Sequence, residues 1–194
     1  MENTMEFWIV IIVLVVILGV LYTLYAGIIR NKNNALEALS GIDVQLKARS
    51  NLIPNILTIA KTFMTHEKDL IESVTKLRTR EGESYDQDDP ASIKEHLAAA
   101  SALGSELGKM MISVEAYPDL KSNETMVQAQ LTYNEVEAKI AAARRFYNSA
   151  VAQLNNSIEI FPGSILANFT NAKIMPFYEV DEASKAPVSA GDFL

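Results

Sequence analysis

The chain opens with an unbroken apolar stretch. Residues 7–29 (FWIVIIVLVVILGVLYTLYAGII) contain no charged side chain. At the α-helical rise of 1.5 Å per residue, this stretch would form a helix roughly 34 Å long, enough to cross a hydrocarbon core of about 30 Å. We therefore predict a transmembrane helix over residues 7–29, preceded by a short flank, residues 1–6.

The residues flanking this stretch indicate its direction. Arg30 and Lys32 follow it and no Lys or Arg precedes it, so the positive-inside rule predicts the N-terminus outside and the remainder in the cytoplasm. A cleavable signal peptide is the alternative, with a weak cleavage site at residues 24–26. Signal peptides start with basic residues and have a shorter apolar core, however, which favours an uncleaved anchor.

Beyond residue 30, apolar residues recur at spacings of three and four, the period of an amphipathic α-helix. This period predicts helices over about 31–80, 91–116 and 122–160, with a short fourth helix over 164–171. They would form one all-α domain over residues 30–174. Residues 175–194 contain two prolines, scattered acids and small residues, and we predict a mostly disordered tail there.

Pro54 lies inside the first of these predicted helices. Its nitrogen has no hydrogen to donate to the carbonyl of Ser50, which costs about 3 kcal/mol if nothing compensates. A kink at Pro54 is one interpretation, and two helices joined near Ser50 and Asn51 is the other. Between the apolar stretch and this helix no residue breaks a helix, so the two are compatible with one continuous helix.

Composition restricts the chemistry. The chain has 17 basic and 24 acidic residues, a net charge of −7, no cysteine and two histidines. A negative net charge disfavours binding to nucleic acid, and the absence of cysteine excludes disulfides and thiolate catalysis. The acidic loop 81–90 lacks the spacing of a calcium-binding loop.

The sequence contains no recognisable catalytic motif. His66 and Glu67 resemble the start of a zinc-protease motif, but Leu70 stands where the second histidine is required. His96 lies in a different predicted helix. We therefore predict no catalytic residues, no cofactor-binding residues and no metal site, and a protein that is not an enzyme.

Several polar residues lie on helical faces that are otherwise apolar. A buried arginine needs a carboxylate partner and complete hydrogen bonding. We interpret these residues as a buried polar cluster that fixes the register between helices, with a ligand site as the alternative. The predicted members are Asp43, Gln45, Arg49, Glu137, Arg144, Tyr147 and Asn148.

Small residues on one face of the apolar helix suggest self-association. Gly19, Thr23 and Gly27 are spaced four residues apart, where they would let a neighbouring backbone approach closely. Simple tolerance of small residues in lipid is the alternative. A second contact region is expected at residues 30–46, if that part of the first helix projects beyond shorter partners.

Two segments resemble the signatures of the LemA family. The first comprises residues 42–49 (IDVQLKAR), 52–55 (LIPN) and the pair His66-Glu67. The second contains Glu137, residues 140–148 (IAAARRFYN), Val151, Asn155, Phe161-Pro162 and residues 165–167. The similarity covers about residues 30–178. Departures from the family pattern are Ala48, the pair Ser50-Asn51 before LIPN, and a shorter acidic loop.

This resemblance implies a bacterial membrane protein with an N-terminal span and an antiparallel bundle of helices, and it implies little about activity. We expect a single-pass protein of the bacterial inner membrane whose cytoplasmic bundle is a non-enzymatic scaffold or interaction module. Its expected partners are the lipid bilayer, further copies of itself in a homo-oligomer, or another membrane or cytoplasmic protein. The alternative is a membrane-anchored sensory or ligand-binding domain without its own output domain.

Overall fold

A computed structural model describes residues 2–179 of the chain, with side chains from residue 6 onward. All regular secondary structure in this range is α-helical. The helices are α1 (Glu2–Phe63), α2 (Lys68–Glu81), α3 (Pro90–Val114), α4 (Pro118–Lys121), α5 (Glu124–Glu159) and α6 (Gly163–Thr170).

Helix α1 joins the apolar stretch to the folded domain without a break. It is 62 residues long and contains, among the described helices, the one segment apolar and long enough to cross a membrane. An 18-residue window of this segment has a mean hydropathy of 3.0 and is 0 % buried, unlike a helix from a soluble core. Ile28 is the first buried residue of α1 among those whose side chains are described.

The predicted helix over 31–80 is wrong in one respect, because the structure contains two helices there. Helix α1 continues through Pro54 and ends at Phe63, and α2 begins at Lys68. The intervening residues 64–67 contain neither proline nor glycine, so local sequence does not mark the break. Tertiary packing accounts for the break, because Met64 of the turn is buried in the same apolar cluster as Ile71 and Val74 of α2.

Arg78 resolves the problem posed by Pro54. Its Nε donates a hydrogen bond of 3.0 Å to the backbone oxygen of Ser50, the acceptor that Pro54 leaves without its usual partner. The same contact shows that α2 has returned beside α1. The long-range hydrogen bond therefore lets a proline remain within a continuous helix.

The other helices follow the predicted order. Asp89 caps α3 by accepting hydrogen bonds from the amides of Ala91 and Ser92, and Asn123 caps α5 by accepting one from Met126. The sequence pattern does not predict the short helix α4.

Residues 30–46 of α1 are expected from the sequence to project beyond shorter neighbouring helices, and they do not. Ala35, Leu39 and neighbouring residues of α1 lie in the apolar core.

Two apolar clusters lie along the domain. One joins α1, α3 and α5 at the end nearest the apolar N-terminal segment and includes Met175 and Tyr178 from the C-terminal segment. The other joins α1, α2, α3, α4 and α5 at the far end. The predicted disordered tail, 175–194, is therefore incorrect at its beginning, because Met175 and Tyr178 are buried; residues 180–194 lie outside the described residues.

We predict that Arg78→Ala lowers the free energy of unfolding by about 1 kcal/mol, because it strands the oxygen of Ser50. In a Pro54→Ala background the alanine amide supplies the missing hydrogen bond, so the same substitution should cost less. Urea unfolding of the full chain in detergent, followed by circular dichroism, measures both values. Arg80→Ala is the control, since Arg80 pairs with Glu95 at the exposed surface. An equal cost of Arg78→Ala in both backgrounds would contradict this account.

Candidate functional site

Arg49 is the most buried charged side chain in the described part of the molecule, at 2 % exposure. Its Nη1 donates to Oε1 of Glu137 in α5 at 3.1 Å, and its Nη2 donates to the carbonyl of Ala100 in α3 at 2.8 Å. Nη2 also donates to Oε1 of Glu81, the last residue of α2. One guanidinium on α1 therefore bonds to three other helices.

Gly104 explains how this guanidinium fits against α3. A methyl group at Gly104 would lie 2.9 Å from Nη1 of Arg49, whereas one at Gly108, on the next turn, would meet nothing within 4 Å among the described residues. A glycine interior to a helix costs about 1 kcal/mol relative to alanine. At position 104 the absence of a side chain leaves room for the buried ion pair, which offsets that cost.

The charges of this cluster shift the pKa values in a coupled way. Burial lowers the pKa of Arg49, but the negative charges of Glu81 and Glu137 outweigh it, so the pKa lies above its ordinary value. Burial raises the pKa of Glu81, and the charge of Arg49 opposes this only in part. The guanidinium thus remains charged, while the buried carboxylate holds its proton more tightly than a free glutamate.

Asp43, predicted in the same cluster, lies in a separate group. Its carboxylate accepts a 2.8 Å hydrogen bond from the hydroxyl of Tyr85 and lies 3.0 Å from Nε2 of His96. The rings of Tyr85 and His96 are stacked with centroids 4.0 Å apart. Burial, and then the hydrogen bond to Asp43, raise the pKa of Tyr85. This group fastens the loop between α2 and α3 to α1.

A third group holds the C-terminal segment, residues 175–178, against α5. The side-chain amide of Asn155 exchanges two hydrogen bonds with the backbone of Met175, of 2.9 and 3.0 Å. Asn148 does the same with Tyr178, at 3.1 and 2.8 Å. Between them, the hydroxyl of Tyr147 donates to the carbonyl of Pro176 at 2.8 Å.

The spacing of these asparagines matches the extended segment. Seven residues of helix rise about 10.5 Å, and three residues of extended chain cover about 10 Å. Asn148 and Asn155 therefore present their amides at the same interval as the backbone groups of Tyr178 and Met175. Each amide satisfies both the N–H and the C=O of one residue, as a neighbouring strand would.

The predicted polar cluster is thus distributed over three groups. Arg49 and Glu137 are together, Asp43 is with Tyr85 and His96, and Tyr147 and Asn148 hold the C-terminal segment. The guanidinium of Arg144 lies 5.6 Å from the ring centroid of Tyr178. Gln45 is half-buried and joins none of these groups through a hydrogen bond in the described residues.

Sequence reasoning does not identify Glu81, Tyr85 or His96 as members of these groups. Glu81 falls in the acidic loop that the pattern predicts to be exposed, and its neighbours give no sign of burial. Asn155 enters only as part of the family signature. Its position seven residues after Asn148, on the apolar face of α5, is a signal that would have identified it.

Removal of the Arg49 side chain should strand Glu81 in the core. We expect Arg49→Ala to lower the free energy of unfolding by about 3 kcal/mol or more, whereas the exposed Arg145→Ala should change it by less than about 0.5 kcal/mol. Chemical unfolding of both variants in detergent provides the comparison. Equal stability of the two variants would show that Arg49 does not hold the helices together.

The raised pKa of Glu81 predicts a pH dependence. The folded state binds the proton of Glu81 more tightly than the unfolded state does. This difference therefore adds to the free energy of unfolding below the ordinary pKa of 4.5, and the contribution is lost as pH rises through the folded pKa. The stability of the unmodified chain minus that of Glu81→Gln should therefore fall as pH increases above about 4.5.

Glu72→Gln is the control for this measurement. The hydrogen bond from Lys76 lowers the pKa of Glu72, an exposed residue on the same helix, so the corresponding stability difference should fall as pH decreases. Unfolding in urea across the acidic to neutral range gives both slopes. A Glu81 slope with the same sign as the Glu72 slope would refute the assigned direction.

Comparison with known proteins agrees with the resemblance in the sequence. Magnetosome protein MamQ 2 of Paramagnetospirillum magneticum is 25 % identical over 169 residues, covering 77 % of this chain and 62 % of that protein. Magnetosome protein MamQ of Magnetospirillum gryphiswaldense is 24 % identical over 195 residues, covering 90 % and 72 %. The chain therefore spans less than two thirds of the first of these relatives.

A family model provides the assignment. The LemA family model matches residues 38–190, a range that includes all three polar groups. Together with the exposed apolar helix, this match and the MamQ relatives indicate a membrane-associated helical protein. Since the match extends over most of the sequence, the chain belongs to the LemA family.

Proposed function

We propose that this protein is a non-enzymatic, single-pass membrane scaffold whose helical domain binds other proteins or further copies of itself. The observation that carries the proposal is an exposed apolar patch, the distal patch, at the end of the domain farthest from the span. Ile112 of α3 and Leu131 of α5 are 74 % and 60 % exposed there, and Val127 and Met111 line the same groove. Glu115, Gln130 and Asn134 line the groove as well, and exposed apolar side chains bordered by polar ones are typical of interaction sites.

Lipid is a poor candidate to cover this distal patch. Asn31 of α1 contacts Gln153 of α5, and Arg49, farther along α1, contacts Glu137, which is earlier in α5. The two helices thus run in opposite directions, and Leu131 lies beside the part of α1 near Pro54. At 1.5 Å per residue, this level is roughly 37 Å beyond the end of the predicted span.

The polar groups support a scaffold over a catalyst. The hydrogen bonds of Arg49, Asp43 and Asn155 all hold one helix, loop or segment against another. A rigid domain so constructed presents its surface in a defined orientation. We propose that its long helices form an antiparallel bundle, as the opposed directions of α1 and α5 suggest.

The proposed location is the bacterial inner membrane, with the N-terminus outside and the domain in the cytoplasm. Arg30, directly after the apolar stretch, is exposed, and Lys32 pairs with the exposed Asp88 at 3.2 Å. Their position after the span supports this orientation through the positive-inside rule.

Crosslinking in native membranes, read by mass spectrometry, tests the scaffold. We expect crosslinks from the distal patch to a protein partner or to a second copy, and loss of those crosslinks in the double variant Ile112→Ser, Leu131→Ser. Gln128→Ser, an exposed polar change nearby, should retain them. If the double variant crosslinks as the unmodified protein does, the distal patch is not the interaction surface.

Self-association through the span is a separate prediction. Methyl groups at Gly19 and Gly27 would meet nothing within 4 Å in the described chain, so this face is free to contact another span. Gly19→Leu with Gly27→Leu should reduce the oligomer size in detergent and leave the helical content unchanged. A monomeric unmodified protein in both detergent and membranes would exclude self-assembly and favour a different partner.

A further inference from the structure

A second apolar surface lies at the opposite end of the domain, where α5 turns into α6. Phe161, Ile165 and Phe169 are 74 %, 57 % and 76 % exposed, and Ile160 beside them is 63 % exposed. These large apolar side chains, close together in sequence, are thus left outside the core. The distal patch proposed above shares no residue with this surface.

Helix α6 has a buried face and an outward apolar face. Gly163, Ala167 and Thr170 are buried where α6 packs against α1 and α5. At 100° per residue, Ile165 and Phe169 point away from that buried face. The helix therefore presents apolar side chains on the side where a soluble protein normally has polar ones.

The close packing of the α5–α6 corner fixes the orientation of this outward face. A methyl group on Gly163 would lie 2.1 Å from the backbone oxygen of Ser157. Only a glycine allows the chain to turn this closely. The exposure of Ile165 and Phe169 is thus a consequence of a tightly packed corner.

The level of α6 along α1 identifies what covers this surface. Asn31 contacts the carbonyl of Gln153, and α5 continues from there to Glu159, about 9 Å closer to the membrane. This places the start of α6 beside the last turns of the predicted span, which ends at Ile29. Lipid headgroups and the outer ends of acyl chains occupy that level.

Charge indicates the kind of lipid contact. Helix α6 contains no charged residue, and the whole chain is acidic at −7. Helix α6 itself therefore has no charge to attract anionic headgroups, and apolar area is the driving force that it supplies. A contact of this kind does not require a particular headgroup.

We infer that α6 lies in the interfacial layer of the same bilayer that α1 crosses, with Phe161, Ile165 and Phe169 inserted among the lipids. The inference rests on the membrane-spanning role proposed for α1. Two attachments, the span and α6, then hold the domain. The domain then has a defined tilt against the membrane surface.

Tryptophan fluorescence in phosphatidylcholine vesicles tests this contact in the full chain. Trp8 is the only native tryptophan, so Trp8→Phe gives a silent background. Phe169→Trp is the probe, and Val44→Trp is the control, because Val44 is 64 % exposed on α1, roughly 22 Å beyond the end of the predicted span, and belongs to neither apolar patch. Lipids brominated near the headgroup end of the acyl chains quench an inserted indole, and aqueous acrylamide quenches a solvated one.

We expect Phe169→Trp to emit at shorter wavelength than Val44→Trp and to lose intensity with brominated lipid, with or without added anionic lipid. Emission and acrylamide quenching equal to those of Val44→Trp would overturn the inference. A second copy of the chain covering α6 would give a different result: a blue shift without bromine quenching, and a shift that disappears at low protein-to-lipid ratio. That result would overturn the inference as well.

The protein with native Trp8 separates this outcome from failure of the anchor. Quenching of Trp8 by lipid, with no quenching of the Phe169→Trp probe, retains the spanning helix and excludes only the α6 contact. Absence of quenching at both positions overturns both. Circular dichroism of each variant establishes that its helical content matches that of the unmodified chain.

Discussion

The fold of this domain depends on one buried cation. Arg49 projects from α1 and binds Glu81, Ala100 and Glu137, which belong to α2, α3 and α5. Apolar contacts alone would tolerate sliding of helices past one another, because one apolar side chain replaces another at modest cost. A guanidinium with directed hydrogen bonds does not, so it sets the relative position of four helices. Its buried Nε has no hydrogen-bond acceptor within the described residues.

The C-terminal segment illustrates a different solution to the same requirement for hydrogen bonds. An extended chain against a helix has no neighbouring strand to bind its backbone groups. Asn148 and Asn155 replace that strand with side-chain amides. They allow residues 175–178 to close the apolar core at the end nearest the apolar N-terminal segment, where Met175 and Tyr178 are buried.

Sequence periodicity is sufficient to predict most of the helices, because amphipathic spacing is a local property. It identifies the apolar N-terminal helix, the long apolar stripe of α5 and the short α6. It fails at residues 64–67, where the chain reverses without a proline or glycine and the reason lies in packing with α2 and α3. It also fails for the partners of Arg49 and Asp43, because pairing between distant residues leaves no local pattern. Glu81 and His96 therefore emerge only from the folded arrangement.

The uninterrupted length of α1 has a mechanical consequence. Its 62 residues form a rod of about 93 Å at 1.5 Å per residue, and the hydrogen bond from Arg78 secures it at the proline. Such a rod transmits torsion. In the membrane-spanning arrangement proposed above, the face of α1 that meets a neighbour in the bilayer also sets the azimuth of the domain about the membrane normal. Rotation of α1 by about 100°, the angle between successive residues, would then turn the distal patch through the same angle.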